Sequence, residues 1–377
     1  MTAVDTTATA DDVRSAPPSP PSPRRLGGGR TERWVLLLSA LSSFALVWVA
    51  YENLTPASGI VGFVLCWVVA FLATVWLAER ELHGSTAATD QTMGLLIVLV
   101  GAAVVGTLAT ILGTVIVQGL KAMHLSFFST TMAKTGPLSK ATDGGAFHSI
   151  IGTFEQVGIA TTISVPLSLA TAVFLSEGRG RLVRPVRTVI DAMSGVPSIV
   201  AGLFIYAAWV LRFGFSGLAA GFALSILMLP TVTRTSEEVL RLVPSGLKEA
   251  GYALGSPRWR TTLFVVLPTA RSGLVTAILL GVARAVGDTA ALIATAAGFD
   301  SLNLNPFHGQ QDSLPLFVYK QIRIGLVDSQ TQRAWTGALV LLGIVLILFV
   351  LARIASSGQT VRLPRRRRSR TTQGAPE

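Results

Sequence analysis

Long apolar runs with no charge in them constrain this chain more than any motif does. WVLLLSALSSFALVWVAY at Trp34–Tyr51 and IVGFVLCWVVAFLATVWL at Ile60–Leu77 contain no Asp, Glu, Lys or Arg. Such runs approach the about 20 apolar residues that an α-helix needs to cross the hydrocarbon core of a bilayer. A helix also satisfies its backbone amides internally where no water can. The whole chain is 14% charged, well below the about 25% of soluble domains. The fold class read from this is all-α: a polytopic membrane protein of about eight transmembrane helices.

The eight candidate spans are Trp34–Tyr51, Ile60–Leu77, Thr92–Gly119, Ile151–Leu175, Val186–Leu211, Leu218–Val232, Ser272–Ala297 and Trp335–Ile354. The third is long enough to demand tilt, and the sixth is short and closes near Pro230. Residues 1–33, rich in Pro, Ser, Ala and Gly, read as a disordered N-terminus. The first apolar run reads as a retained span, because no convincing small-residue cleavage site follows it. Cys66 is the one cysteine, so no internal disulfide or cysteine-based metal site is available.

Net charge is +11, which in a soluble chain would suggest nucleic acid. Here the basic residues cluster between spans. Arg24, Arg25, Arg30 and Arg33 precede the first span, and Arg179, Arg181, Arg184 and Arg187 fill the fourth connection. Arg234, Arg241, Lys248, Arg258 and Arg260 lie in the sixth, and Arg362 and Arg365–Arg368 form the basic tail at 356–377. Eight alternating spans put all four groups on one side, and the excess of Lys and Arg marks that side as cytoplasmic. Topology therefore accounts for the charge without nucleic acid. The basic tail either touches anionic membrane lipid or serves as a stop-transfer anchor. Both termini are expected in the cytoplasm.

One cytoplasmic stretch, KEAGYALGSPRWRTTLFVVLP at Lys248–Pro268, looks soluble. Pro244-Ser245 suits a helix start, with Ser245 placed to cap free amides. Leu247, Ala250, Gly251 and Leu254 share a face at helical spacing. Gly255 supplies a left-handed stop, and Pro257 bars continuation. A helix of about ten residues cannot span a bilayer. It either lies on lipid or docks into a partner's groove, and its small, Ala- and Gly-rich face favours docking. Arg258–Leu267 reads as a second short helix ending where the next span begins, at Pro268.

The spacing Glu249-Ala250-Gly251, three residues, Gly255, nine residues, Val265-Val266-Leu267-Pro268 resembles the EAA loop of ABC importer permeases. That pattern is EAA, three residues, G, nine residues, I-x-LP; Gly251 replaces the second Ala and Val265 the Ile. GTFEQVGIATTISVPLSLATAVFLSEG, MSGVPSIVAGLF, LPTVTRTSEEVLRLVPSGLKEAGYALG, ARAVGDTAALI and DSLPLFVYKQI are similar to phosphate-importer permeases of the PstA type. The resemblance covers about Thr92 to Ile354. It implies a six-span ABC importer type I permease core at 92–355, with a cytoplasmic coupling loop at 234–268. Residues 34–83 would be two extra transmembrane helices outside that core. It implies a cell-membrane permease subunit that moves inorganic phosphate. The implied partners are a sister permease of the PstC type, a cytoplasmic ATPase dimer of the PstB type and an extracytoplasmic phosphate-binding protein of the PstS type. Glu249, Ala250, Gly251, Gly255, Leu267 and Pro268 would form the ATPase-coupling element.

Arg284 and Asp288 stand out in an otherwise uncharged stretch. Four residues apart, they would share a face of the seventh span. Each would cost about 2.5–3.5 kcal/mol at a bilayer centre on insertion scales, so both should face protein or water. One reading is an internal ion pair. The favoured reading is a translocation pathway, where the guanidinium fork suits phosphate oxygens. Asp288 would accept a hydrogen bond from the proton phosphate still carries, which sulfate lacks. The family pattern usually has Glu at this position, one methylene longer. Glu155, Asp191 and Arg234 read as interface or boundary residues. His83, His124, His148 and His308 read as scattered through loops, with no metal-ligand spacing. Pro166, Pro197 and Pro230 are candidate kinks.

No G-x-x-x-x-G-K-[ST] loop occurs, so ATP hydrolysis is expected on a separate subunit. Neither a nucleophile–base set nor a metal cluster is visible, so this is not read as an enzyme, and no cofactor is expected. The alternatives kept open are a permease for another oxyanion (sulfate or molybdate) and an ion-coupled secondary transporter. The latter leaves the EAA spacing unexplained.

Overall fold

The computed structural model of the chain describes residues 30–53, 59–136, 138–178, 180–324 and 328–357. Residues 1–29 of the region read as disordered, Arg179 and residues 358–377 of the basic tail lie outside the described residues. Arg30–Arg33 are not disordered but form the first turn of a helix. The elements are α1 (Arg30–Asn53), α2 (Ile60–His83), α3 (Ser85–Lys121), α4 (Phe147–Glu177), α5 (Val183–Ser194) and α6 (Ser198–Phe213). They continue as α7 (Gly217–Arg241), α8 (Ser245–Ala253), α9 (Arg258–Val286), α10 (Ala290–Thr295), α11 (Leu314–Ile324) and α12 (Asp328–Ser357). Among the described residues the sole β pairing is an isolated bridge between Ala297 and Gln311. Seven helices are long and apolar enough to cross a membrane, and the bent pair α5–α6 makes up to eight.

The chain divides into two units, Met1–Thr110 and Ile111–Glu377, the boundary falling inside α3. In the first, α1 and α2 are joined by aromatic rings. Phe63 meets Phe44, Trp48 and Tyr51 edge-on, with centroids 5.5–6.0 Å apart. Edge-to-face geometry sets the positive rim of one ring against the negative face of another. Thr74 Oγ1 donates to the Ser39 carbonyl (3.4 Å), and Glu79 lies 2.7 Å from His83 Nδ1 one turn on.

The second unit is organised on α7, the most buried of the long helices. Its Ala219, Ala220, Gly221, Ala223 and Ser225 are all buried. A Cβ on Gly221 would lie 2.5 Å from Ile159 Cγ2 of α4, and one on Gly281 of α9 would lie 2.3 Å from Val232 Cγ2. Small residues let the backbones come this close, which is how helices gain packing where lipid removes the hydrophobic drive. Ser168 Oγ donates to the Leu229 carbonyl (3.0 Å), tying α4 to α7 beside Pro230.

Four expectations change. The third span begins at Ser85 rather than Thr92, separated from α2 by Gly84 alone. The fifth is two helices bent by 103° across Gly195–Pro197, so Pro197 marks a break. The sixth does not stop near Pro230. α7 passes through it to Arg241, because dense packing holds the helix where one amide is lost. The segment Arg258–Leu267 is not a separate helix. It is the first part of α9, with a π turn at Thr262–Val266 immediately before Leu267-Pro268. Pro268 cannot donate to the carbonyl four residues earlier, and a wider turn at that point accommodates the loss.

Candidate coupling and pathway sites

α8 follows α7 after a three-residue bend, Leu242–Pro244, and stands out from the body, with no residue of its own fully buried. It starts at Ser245, but Pro244 occupies the cap position and no side chain caps the free amides, so the Ser245 cap is absent. Its other end is closed as expected. Gly255 takes φ +76°. Its N–H donates to the Tyr252 carbonyl (2.9 Å), and the Ser256 N–H donates to the Gly251 carbonyl (3.1 Å). That bond pair is a Schellman closure, and glycine adopts the left-handed turn at no Cβ cost.

Two contacts fix α8 to the body, both on one face. Lys248 Nζ donates to Glu177 Oε1 at the end of α4, 2.5 Å away. A Cβ on Gly251 would lie 2.9 Å from Thr261 Cγ2 of α9. Gly251 therefore lies against the body, and the face grouped from sequence divides. Leu247 and Leu254 remain outside it, exposed by 43% and 89%. Leu242, Tyr252 and Trp259 are also exposed nearby. Glu249 and Ala250 are exposed too, whereas Leu267 and Pro268 sit within α9, Leu267 half-buried.

Arg284 and Asp288 are not on one continuous helix. α9 ends at Val286, and Gly287 to Thr289 separate it from α10. The ion pair reading therefore loses its geometric basis. Arg284 Nη1 donates instead to Thr231 Oγ1 of α7 at 3.0 Å. Asp288 Oδ1 accepts the Ala291 N–H at 3.1 Å, which caps the short α10. Arg284 is exposed and Asp288 half-buried. Arg284 thus lies in the last turn before a helix break and Asp288 within it.

The segment after α10 is held by a buried polar cluster that local sequence does not reveal. Ala297 has φ +64°, a left-handed conformation that costs a non-glycine residue about 1–2 kcal/mol. Gln311 N–H donates to the Ala296 carbonyl (3.2 Å) and pins this turn. Asp312, with its side chain fully buried, accepts from Ser149 Oγ (2.7 Å) and lies 3.3 Å from both His148 Nε2 and Lys320 Nζ. Lys320 also reaches Asp300 Oδ1 at 2.9 Å. Gln156 Nε2 donates to Gln311 Oε1 (3.1 Å) and to the Asp312 carbonyl (3.2 Å), and Gln311 in turn donates to Glu155. His148 is therefore a buried residue of α4 rather than a loop histidine, and Glu155 belongs to a network rather than to the interface alone. Gly152 makes this possible, since a Cβ there would lie 2.0 Å from the Asp312 carbonyl oxygen.

At the α8 end, Arg234 pairs with Asp191, so two residues read as boundary anchors are partners. Arg234 also reaches Glu237, whose side chain is 3% exposed. Its spacing from Arg234 and Arg241, three and four residues, is the one local signal that could have found it.

The chain matches the family of binding-protein-dependent transport system inner membrane components over residues 164–361. It is 42% identical over 241 residues to the phosphate transport system permease protein PstA 1 of Mycobacterium tuberculosis H37Rv, covering 63% of this chain and 78% of that protein. Identity to the phosphate transport system permease protein PstA of Pasteurella multocida Pm70 is 37% over 253 residues, 66% of this chain and 87% of the relative. Among solved structures, the methionine ABC transporter MetNI in inward-facing conformations matches at TM-score 0.46 and 22% identity, over 56% of this chain and 93% of that one.

Proposed function

Since the chain belongs to the family of binding-protein-dependent transport system inner membrane components, we propose that it is the PstA-type permease subunit of an ATP-driven importer of inorganic phosphate. The observation that carries this reading is α8: a Schellman-closed helix, held on one face by Lys248 and Gly251, that leaves Leu247 and Leu254 outside. An apolar helix face of this kind suits a groove on a partner. That partner is an ATPase dimer of the PstB type, which hydrolyses ATP on its own subunits. A sister permease of the PstC type completes the pore, and a PstS-type binding protein delivers phosphate on the opposite side. The α8 end and both termini face the cytoplasm.

In this reading Glu249, Ala250, Gly251, Gly255, Leu267 and Pro268 form and support the coupling element. Arg284 and Asp288 meet the cargo at the break between α9 and α10. Thr231 holds the guanidinium from one side and leaves its other donors for phosphate oxygens. Asp288 spends one oxygen on the Ala291 amide, and its other oxygen is the one to accept a hydrogen bond from the protonated phosphate oxygen. Nucleotide-driven movement of α8 switches the pathway between its two openings by a rigid-body or hinge change.

The test is phosphate uptake by membrane vesicles carrying the assembled complex. Gly255→Pro puts a residue whose ring fixes φ at about −65° where the chain needs φ +76°, and Glu249→Lys reverses an exposed charge. Both are expected to abolish ATP-driven uptake while the permease stays in the membrane. Normal uptake in both variants would refute the docking role. Arg284→Gln with Asp288→Asn is expected to lose uptake and keep the ATPase bound. Competition of labelled phosphate by excess sulfate or molybdate would move the assignment to another oxyanion.

A further inference from the structure

The charged cluster at the α8 end is not used by either proposed site, and its geometry joins them. Glu237 is on the penultimate turn of α7. Its Oε1 accepts from Arg187 Nη2 of α5 (2.7 Å) and from Arg241 Nη2 of α7 itself (2.6 Å). Its Oε2 lies 3.4 Å from Arg234 Nη1, and Arg234 also pairs with Asp191 of α5. Arg187 Nη2 makes one more bond, to the Leu175 carbonyl of α4 (3.3 Å). One almost fully buried carboxylate thus gathers three guanidinium groups, and α5 is fastened to α7 at two charged points and to α4 at a third.

Both ends of this fastening lead somewhere specific. On one side α7 runs through Leu242–Pro244 into α8, which Lys248 ties to Glu177 at the end of α4. On the other, α5 turns through 103° into α6. α6 lies against α10 so closely that a Cβ on Gly202 would sit 2.8 Å from both the Cα and the carbonyl oxygen of Ala291. Ala291 is the residue whose amide Asp288 caps. Apart from the chain linking α7 to α8 and the bend in α5–α6, each link is a backbone approach or a charged contact. The buried Glu237 carboxylate must keep its guanidinium partners, since an unpaired buried charge is costly.

We propose that Glu237, with Arg187, Arg234 and Asp191, is a positioning hub that converts displacement of α8 into displacement of the bent pair α5–α6 and of the Asp288 segment beneath it. This rests on the permease reading above and adds the residues through which the coupling passes. The hub touches neither cargo nor nucleotide; it acts through α6 and α10.

The test uses the complex purified through this chain and returned to lipid vesicles. ATP hydrolysed per phosphate taken up is measured for Glu237→Gln, Arg187→Gln and Arg234→Gln, with Glu237→Asp as the conservative variant and the exposed neighbour Glu238→Gln as control. The hub variants are expected to hydrolyse ATP with at least about tenfold less phosphate moved per nucleotide. Glu237→Asp is expected to recover most of the ratio, and Glu238→Gln to match the parent. Uptake and hydrolysis falling together, at an unchanged ratio, would show a structural role only and overturn the proposal. Should Glu237→Gln not assemble, the two arginine variants, whose side chains are about one-third exposed, decide by the same ratio. A parent complex that takes up no phosphate defeats the cargo reading, not the hub. The hub is then decided by amide hydrogen exchange, since faster exchange in α6 and in residues 288–297 of Glu237→Gln supports it and unchanged exchange overturns it.

Discussion

α7 and α12 are both long helices of the second unit, yet 67% of the apolar stretch of α7 is buried and only 11% of that of α12. α12 is the more uniformly apolar of the two, reading ALVLLGIVLILFVL through its middle, while α7 mixes Gly, Ala, Ser and Thr with its Leu residues. In water the richer apolar helix would be the buried one. In lipid the acyl chains already satisfy leucine, so burial goes to the helix whose small residues allow close approach and whose hydroxyls find partners across the interface. Small and weakly polar residues therefore mark the interior here.

That contrast can be broken at graded cost. The largest effect is expected from Gly152→Leu, where the Cβ alone would stand 2.0 Å from a carbonyl oxygen of the Asp312 cluster. No flexible side chain can yield there, so the monodisperse peak in size-exclusion chromatography should disappear. Next is Gly221→Val on α7, whose first added atom meets Ile159 at 2.5 Å. Overpacking of this kind costs about 1–3 kcal/mol, read as a fall in melting temperature in detergent. Its counterpart Gly343→Val on α12 meets nothing within 4 Å, and an equal fall there would sink the comparison. Ser168→Ala removes one interhelical bond to α7, expected to cost about 0.6 kcal/mol. Smallest is Leu346→Ala on α12, 62% exposed, which should stay within about 0.5 kcal/mol of the parent.

The same contrast explains what was legible. The stop of α8 was readable because a Schellman closure spans six residues, and Gly255 and Pro257 are the chemistry it requires. Helix breaks were less readable. Apolar residues continue on both sides of Gly195–Pro197 and of Gly287–Thr289, with only Asp191 and Arg284 as nearby charges, so the runs look continuous through both. Pro230 misled in the opposite direction, since a proline that would end an isolated helix is carried through by the packing around α7. The Asp312 cluster was invisible because Ser149 and Gln156 lie 163 and 156 residues from their partners Asp312. Glu237 was visible only as one acid among basic residues.

The sequence alone determined that this chain crosses a membrane many times as helices, that a short helix interrupts the late spans, and which residues close it. These follow from backbone desolvation and from hydrogen bonds among near neighbours, both of which act locally. The tertiary structure decided which helix is central, where the fifth and seventh apolar runs break, that Arg284 answers to Thr231 rather than Asp288, and that Glu237 collects three arginines. Each of those depends on which distant backbone can approach within a few ångströms, and a distance between remote segments is not a property of either segment.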